Sequence, residues 1–208
     1  TARQPRRGCY RPGMALDLQK VFRGIDLVNR EDPAPEEVDG VHQPKDWLYG
    51  VRMSERLAKF RPDASEALQV ACRAQHLGRS AMPRTDYPDG REGYLTWRRD
   101  QARQHAERLS AILRECGADD TLIERCAFLV QKKRLRQDDE TQALEDVACL
   151  VFLEHYALEF AGQHPEPKII DIVQKTWTKM SEAGHAAALQ LTLHPGVTAV
   201  VQKALAGA

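Results

Sequence analysis

The sequence predicts an all-α, single-domain helical bundle, and three observations carry that reading. Apolar residues recur at helical spacing through most of the chain. No alternating strand pattern competes, and no internal repeat is present. At 208 residues the chain can bury one sizeable core without disulfides. Thirty Lys and Arg against thirty Asp and Glu leave no global field to recruit nucleic acid or an anionic membrane. No apolar run reaches the ~20 residues of a membrane span. The five cysteines are scattered and form no CxxC pair, which fits reduced thiols and a cytoplasmic protein. Residues 1–13, rich in Arg, Pro and Gly, read as an upstream extension or cloning remnant, so the domain is expected to occupy residues 14–208.

The elements follow in order. Leu18, Val21, Phe22, Ile25 and Val28 form one helical stripe, which the sequence DPAPEE then interrupts. Trp47 to Phe60 is a second helix. A third opens at Asp63-Ala-Ser-Glu66, with Asp63 or Ser65 as cap, and runs to about Gly78. Residues 81–93, AMPRTDYPDGREG, carry Pro and Gly at positions that exclude regular structure. A long helix from about Tyr94 to Cys116 ends at Gly117. Helices at about 119–134, 139–161, 168–183, 185–193 and 196–206 complete the chain.

The helix over 139–161 is the most informative. Leu144, Val147, Ala148, Val151 and Leu158 form one apolar stripe; Cys149, Leu150, Leu153, Ala157 and Phe160 form another. A helix apolar on nearly every side is buried, yet this one carries Glu145 and Asp146. A buried carboxylate must be neutralised, paired or bound to a metal, and side chains of adjacent helical residues point about 100° apart, toward different partners.

Four other polar groups invite two readings each. Gln75-His76, where the third helix meets the irregular loop, faces a cleft or serves as a helix C-terminus. Arg79, Arg84, Arg91 and Arg98, interleaved with Tyr87, Tyr94 and Trp97, either grip an anion or tie the loop to the body. His105 lies on an inward stripe with Leu109, Ile112 and Leu113, as a ligand or as a satisfied core histidine. Lys132-Lys133 and Asp138-Asp139-Glu140 read as a solvated face with helix-dipole compensation.

The runs WLYGVRMSERLAKFRPDASEALQVACRAQHLGRSAMPR, YPDGREGYLTWRRDQARQHA, LEDVACLVFLE and KTWTKMS, in that order, closely resemble the DUF4202 family, a domain of unknown function. Behind this lies a weaker resemblance to HD-type metal-dependent phosphohydrolases, which are all-α. It implies an HD-like core in which His76 sits where a His-Asp doublet would be and Asp146 where the distal Asp would be. No His lies between residues 43 and 75, so the first ligand of that pattern is missing, and the doublet reads Gln-His. The resemblance implies catalytic His76, Glu145 and Asp146, and a variant site for Mn, Fe or Zn built from His76, His105 and Asp146. Arg79, Arg84, Arg91, Arg98 and Gln75 would hold an anionic small-molecule ligand. Three function classes follow: a hydrolase of a phosphorylated or nucleotide-like small molecule, a non-catalytic binding or regulatory module, and an RNA-associated protein stacking bases on Tyr87, Tyr94 and Trp97. Neutral net charge disfavours the third.

Overall fold

Ten α-helices and one short hairpin make up residues 16–206, which the computed structural model describes. The expectation about residues 1–13 and a start at Met14 falls outside those residues. Helix α1 (Leu18–Asn29) is followed by a hairpin, β1 (Pro35–Val38) and β2 (Val41–Pro44). Then come α2 (Lys45–Phe60), α3 (Glu66–Arg73), α4 (Gly90–Glu115), α5 (Asp120–Val130) and α6 (Asp139–Val151). A π turn (Phe152–Tyr156) leads into α7 (Ala157–Gln163). Helices α8 (Glu166–Lys179), α9 (Glu182–Leu189) and α10 (Pro195–Ala206) close the chain. Asp17, Ser65, Asp119, Asp138 and Ser181 cap helices by accepting backbone N–H groups at 2.8–3.1 Å. Among the described residues, no helix is long and apolar enough to cross a membrane.

The described helices bury two apolar clusters, and α6 belongs to both. Leu144, Val147 and Val151 join the larger one, built with α1 to α5; Cys149 and Leu150 join the smaller, with α8, α9 and α10. The two stripes expected on this helix are thus its two core faces. Leu158 departs from the first stripe: it is 46% exposed, beyond the π turn that breaks the register.

Three local expectations are corrected. The segment after α1 is a β-hairpin, because Asp39 (φ 51°) and Gly40 (φ 77°) adopt the left-handed pair that a two-residue hairpin turn requires. Helix α3 stops at Arg73, well short of Gly78, and Gln75 and His76 lie in the turns that follow. Helix α5 stops at Val130. Residues 131–137 then form a chain of turns with Lys132 (φ 53°), Arg134 (φ 53°) and Arg136 (φ 72°) in left-handed backbone. Each such residue costs about 1–2 kcal/mol, so surrounding contacts must hold the loop.

Asp146 is buried, at 2% exposure. It accepts hydrogen bonds from the Ser181 amide (2.8 Å), the Ser181 hydroxyl (2.5 Å) and the Gln142 amide (3.1 Å). A Cβ at Gly184 would stand 2.6 Å from its Oδ1, so the α9 backbone can approach only as glycine. Asp146 is therefore the anchor of the α9 N-terminus, through the cap residue Ser181. Replacing it by Ala is expected to destabilise the protein by about 3 kcal/mol and by Asn about 1 kcal/mol, read from urea unfolding. An effect within ~0.5 kcal/mol for Ala would be that of an ordinary surface position and would overturn this assignment.

Candidate functional site

Two adjoining clefts lie where α2, the turns after α3, and α4 meet. Cleft I, about 530 Å³, opens toward the hairpin and the π turn; cleft II, about 360 Å³, opens toward the 131–137 loop. Tyr49, His76, Arg79 and Trp97 line both and form the wall between them. The Tyr49 and His76 rings stack with centroids 3.6 Å apart and planes 10° apart. The Arg79 guanidinium lies over Trp97, 4.6 Å from the ring centroid. Trp97 is fixed from behind by its Nε1–H donating to the Met82 carbonyl at 2.9 Å.

Arg79 forms no ion pair among the described residues. Burial lowers its pKa, with Asp46 the nearest opposing influence. Around it, cleft II gathers further cations in Arg98, Arg99 and Lys133. Arg98 reaches only the Tyr94 hydroxyl, at 3.3 Å. Lys132 also lines cleft II but is neutralised by Glu145, at 2.5 Å. Burial opposes ionisation of Glu145; the Lys132 ammonium outweighs it, and the carboxyl titrates below its usual range.

The inner wall of cleft II is neutral and polar. His105 Nδ1 donates to the Leu77 carbonyl at 2.8 Å; a carbonyl only accepts, so this nitrogen carries the proton and Nε2 is left as an acceptor. Burial, with Arg79 and Arg108 adding repulsion, pushes His105 down to about 4, and burial likewise holds His76 well below its ordinary value. Gln75 is 8% exposed and makes no hydrogen bond through its amide among the described residues; its Oε1 is buried without a partner. Gln101 spends its Nε2 on the Arg79 and Met82 carbonyls, at 3.0 and 2.8 Å, and holds the turn that carries Arg79.

Cleft I combines aromatic walls with carboxylates. Met82, Phe152 and Tyr156 line it, and so do Asp32 and Asp46. Asp32 accepts from the Ala34 and Asp46 amides, both at 2.9 Å, pinning the hairpin base to the start of α2. Asp46 is 6% exposed and accepts from the Ser80 amide at 3.0 Å. Burial raises Asp46 to about 6, and the nearby Asp32 carboxylate pushes the same way against the Ser80 hydrogen bond.

The expected site residues therefore divide. His76, His105, Gln75, Arg79 and Arg98 come together in cleft II, and Arg84 lines cleft I while stapling its own loop through the Tyr87 carbonyl at 2.9 Å. Arg91 lines neither cleft: α4 begins at Gly90, which leaves Arg91 exposed on its first turn. Glu145 and Asp146 line neither, being committed to Lys132 and Ser181. The metal set of His76, His105 and Asp146 does not fit a metal. Asp146 serves α9, and no cluster of three His, Cys, Asp or Glu among the described residues could hold an ion. Lys132, read as part of a solvated face, is instead an internal ion-pair partner. Asp32 and Asp46 escaped the sequence reading, since Asp32 lies in the DPAPEE interruption and an acid in the first turn of a helix, as Asp46 is, ordinarily signals dipole compensation. Tyr87 and Trp97 hydrogen-bond inward, and among the three proposed stacking residues only Tyr94 is exposed, at 42%.

Two titrations check this electrostatic picture. The His105 C2 proton is expected to titrate near pH 4, and a midpoint above 6 would overturn the buried neutral ring. The unfolded chain takes up that proton near 6.5, so this group withdraws stability as pH falls from 6.5 toward 4. Asp46 has the opposite sign. Its stabilising effect is full below 3.8 and lost as pH rises through about 6. Asp46→Asn is therefore expected to raise stability at pH 7.5 by about 2–3 kcal/mol and to give no gain at pH 3.5.

Residues 19–201 match the family described as "Domain of unknown function (DUF4202)". No curated protein and no solved structure matches the chain. The match runs from the first helix into the last, across both clefts and both cores, and the chain belongs to the DUF4202 family.

Proposed function

We propose that the protein binds a phosphorylated small molecule across the Arg79 wall and hydrolyses it. The observation that carries this is Arg79 itself: a half-buried guanidinium with no carboxylate partner among the described residues, facing two clefts, with Arg98, Arg99 and Lys133 beside it. A cation held out of water without a counter-ion is costly, and a phosphoryl group supplies the bidentate partner that the guanidinium lacks. His76 lines both clefts beside Arg79 and stays neutral through the physiological range. In this reading it takes a proton from the attacking water as the new P–O bond forms and returns it to the ester oxygen as the old P–O bond breaks, giving alcohol and phosphate, while Arg79 carries the phosphoryl charge. The order of elements that resembles HD-type phosphohydrolases supports this only through His76, since Asp146 serves α9, and no step of the proposal runs through a metal. A non-catalytic binding module is the second reading, favoured by the low basicity of His76.

Calorimetry with inorganic phosphate at low salt tests the binding. Arg79→Ala is expected to weaken affinity roughly 10- to 100-fold, the size of a lost charged hydrogen bond. Unchanged affinity in that variant would sink the proposal. Wild-type protein is expected to release phosphate from members of a phosphate monoester panel, and His76→Gln to bind phosphate but release none. Binding without turnover on every ester would leave the non-catalytic module.

A further inference from the structure

We infer that the organic part of the ligand is a heteroaromatic ring with an N–H or amino edge, seated in cleft I, so that the whole ligand is a nucleoside phosphate. This rests on the phosphate reading of cleft II. The two clefts are contiguous through a shared aromatic wall, so one molecule can occupy both. Their volumes are of the size that holds a small ligand. Cleft II presents cations, whereas cleft I presents aromatic and thioether surface together with four carboxylates, those of Asp32, Glu36, Asp46 and Glu159, against Lys45, Arg84 and the shared Arg79.

That mixture is selective. A second phosphate in cleft I would meet Lys45 and Arg84 but also four carboxylates, of which the buried Asp46 has no room to turn away. An aliphatic chain would cover these carboxylates without replacing the hydrogen bonds that water gives them, which is costly. A sugar would offer hydroxyl donors to the carboxylates but only a puckered C–H face to Tyr156 and Phe152. A flat ring meets both demands, because its faces pack on the aromatic walls while its N–H edge donates to the carboxylate. Asp46 is the group placed to read that edge. It lines the cleft and has no cation within ion-pair range among the described residues, and its Oδ2 is already fixed on the Ser80 amide.

The probes are inorganic phosphate, ribose 5-phosphate, and adenosine, guanosine and cytidine monophosphates, titrated into the full chain. At least one of the three nucleotides is expected to bind ten times or more tighter than ribose 5-phosphate. Two variants locate that gain. In Asp46→Asn the Ser80 amide holds the Asn oxygen, so an NH2 group replaces the acceptor and the advantage of the nucleotide falls about tenfold. Ala34→Trp, at an exposed position on the mouth of cleft I, removes the advantage by filling the cleft. Both variants still bind inorganic phosphate, Ala34→Trp as wild type and Asp46→Asn at least as tightly because it removes a carboxylate that acts on Arg79, and this also reports that the fold is intact. If phosphate binds but no nucleotide exceeds ribose 5-phosphate, the assignment of cleft I is overturned and the phosphate site stands. If neither variant changes the nucleotide advantage, the ring does not sit in cleft I. If phosphate itself fails to bind, the reading of cleft II falls and this inference with it.

Discussion

The constraint on which the structure depends is that α6 is apolar nearly all round and carries two ionised groups into the interior. Neither Glu145 nor Asp146 can be left alone there, because an unpaired buried carboxylate costs more than any single packing contact returns. Each is satisfied by bringing in something distant. Asp146 collects Ser181 and with it the start of α9, so the smaller core is assembled on α6. Glu145 collects Lys132, and with it the loop of left-handed residues that walls cleft II. One helix thus positions the C-terminal packing with one carboxylate and part of the candidate site with its neighbour.

The charges around the clefts follow the same logic of pairing. Most interior cations have partners: Arg73 meets Asp26 at 2.7 Å, Arg52 meets Glu36 at 2.7 Å, and Arg56 meets Glu154 at 2.6 Å. These bridges fix α3 against α1 and α2 against the hairpin and the π turn, and the second of them holds Glu36 on the wall of cleft I. Against that background the unpaired guanidinium of Arg79 stands out, as does the carboxyl of Asp46 held near 6. Groups left unsatisfied in an otherwise satisfied interior are where a ligand has most to offer.

Much of this was legible in the sequence, and the failures have identifiable causes. Helical periodicity gave the all-α class and both core faces of α6, since those depend on spacing within one element. The burial of Asp146 followed from its apolar neighbours, but its partner did not, because Ser181 lies 35 residues away and no local pattern links them. The hairpin carried a sequence signal, Asp39-Gly40 between Val38 and Val41, which the surrounding prolines and acids obscured. The ends of α3 and α5 depended on tertiary contacts: Gln101 bonding the Arg79 carbonyl, and Glu145 drawing in Lys132. Asp46 was hidden because its sequence context is that of an ordinary first-turn acid, and only the approach of Asp32 and the Ser80 amide changes its chemistry.

The π turn at Phe152–Tyr156 has a consequence for how the chain tolerates change in length. Such a turn holds one residue more than the α-helical winding it interrupts. Losing a single residue there would restore α-helical winding with the downstream phase nearly kept, whereas α-helical winding at the present length would turn everything downstream by about 100° relative to α6. Phe152 and Tyr156 would leave the rim of cleft I together, and the α7–α10 half would present a different face to Cys149 and Leu150. The phase between the two halves of the molecule is therefore written in the winding of one turn, and this stretch tolerates the loss of one residue better than the loss of its π winding.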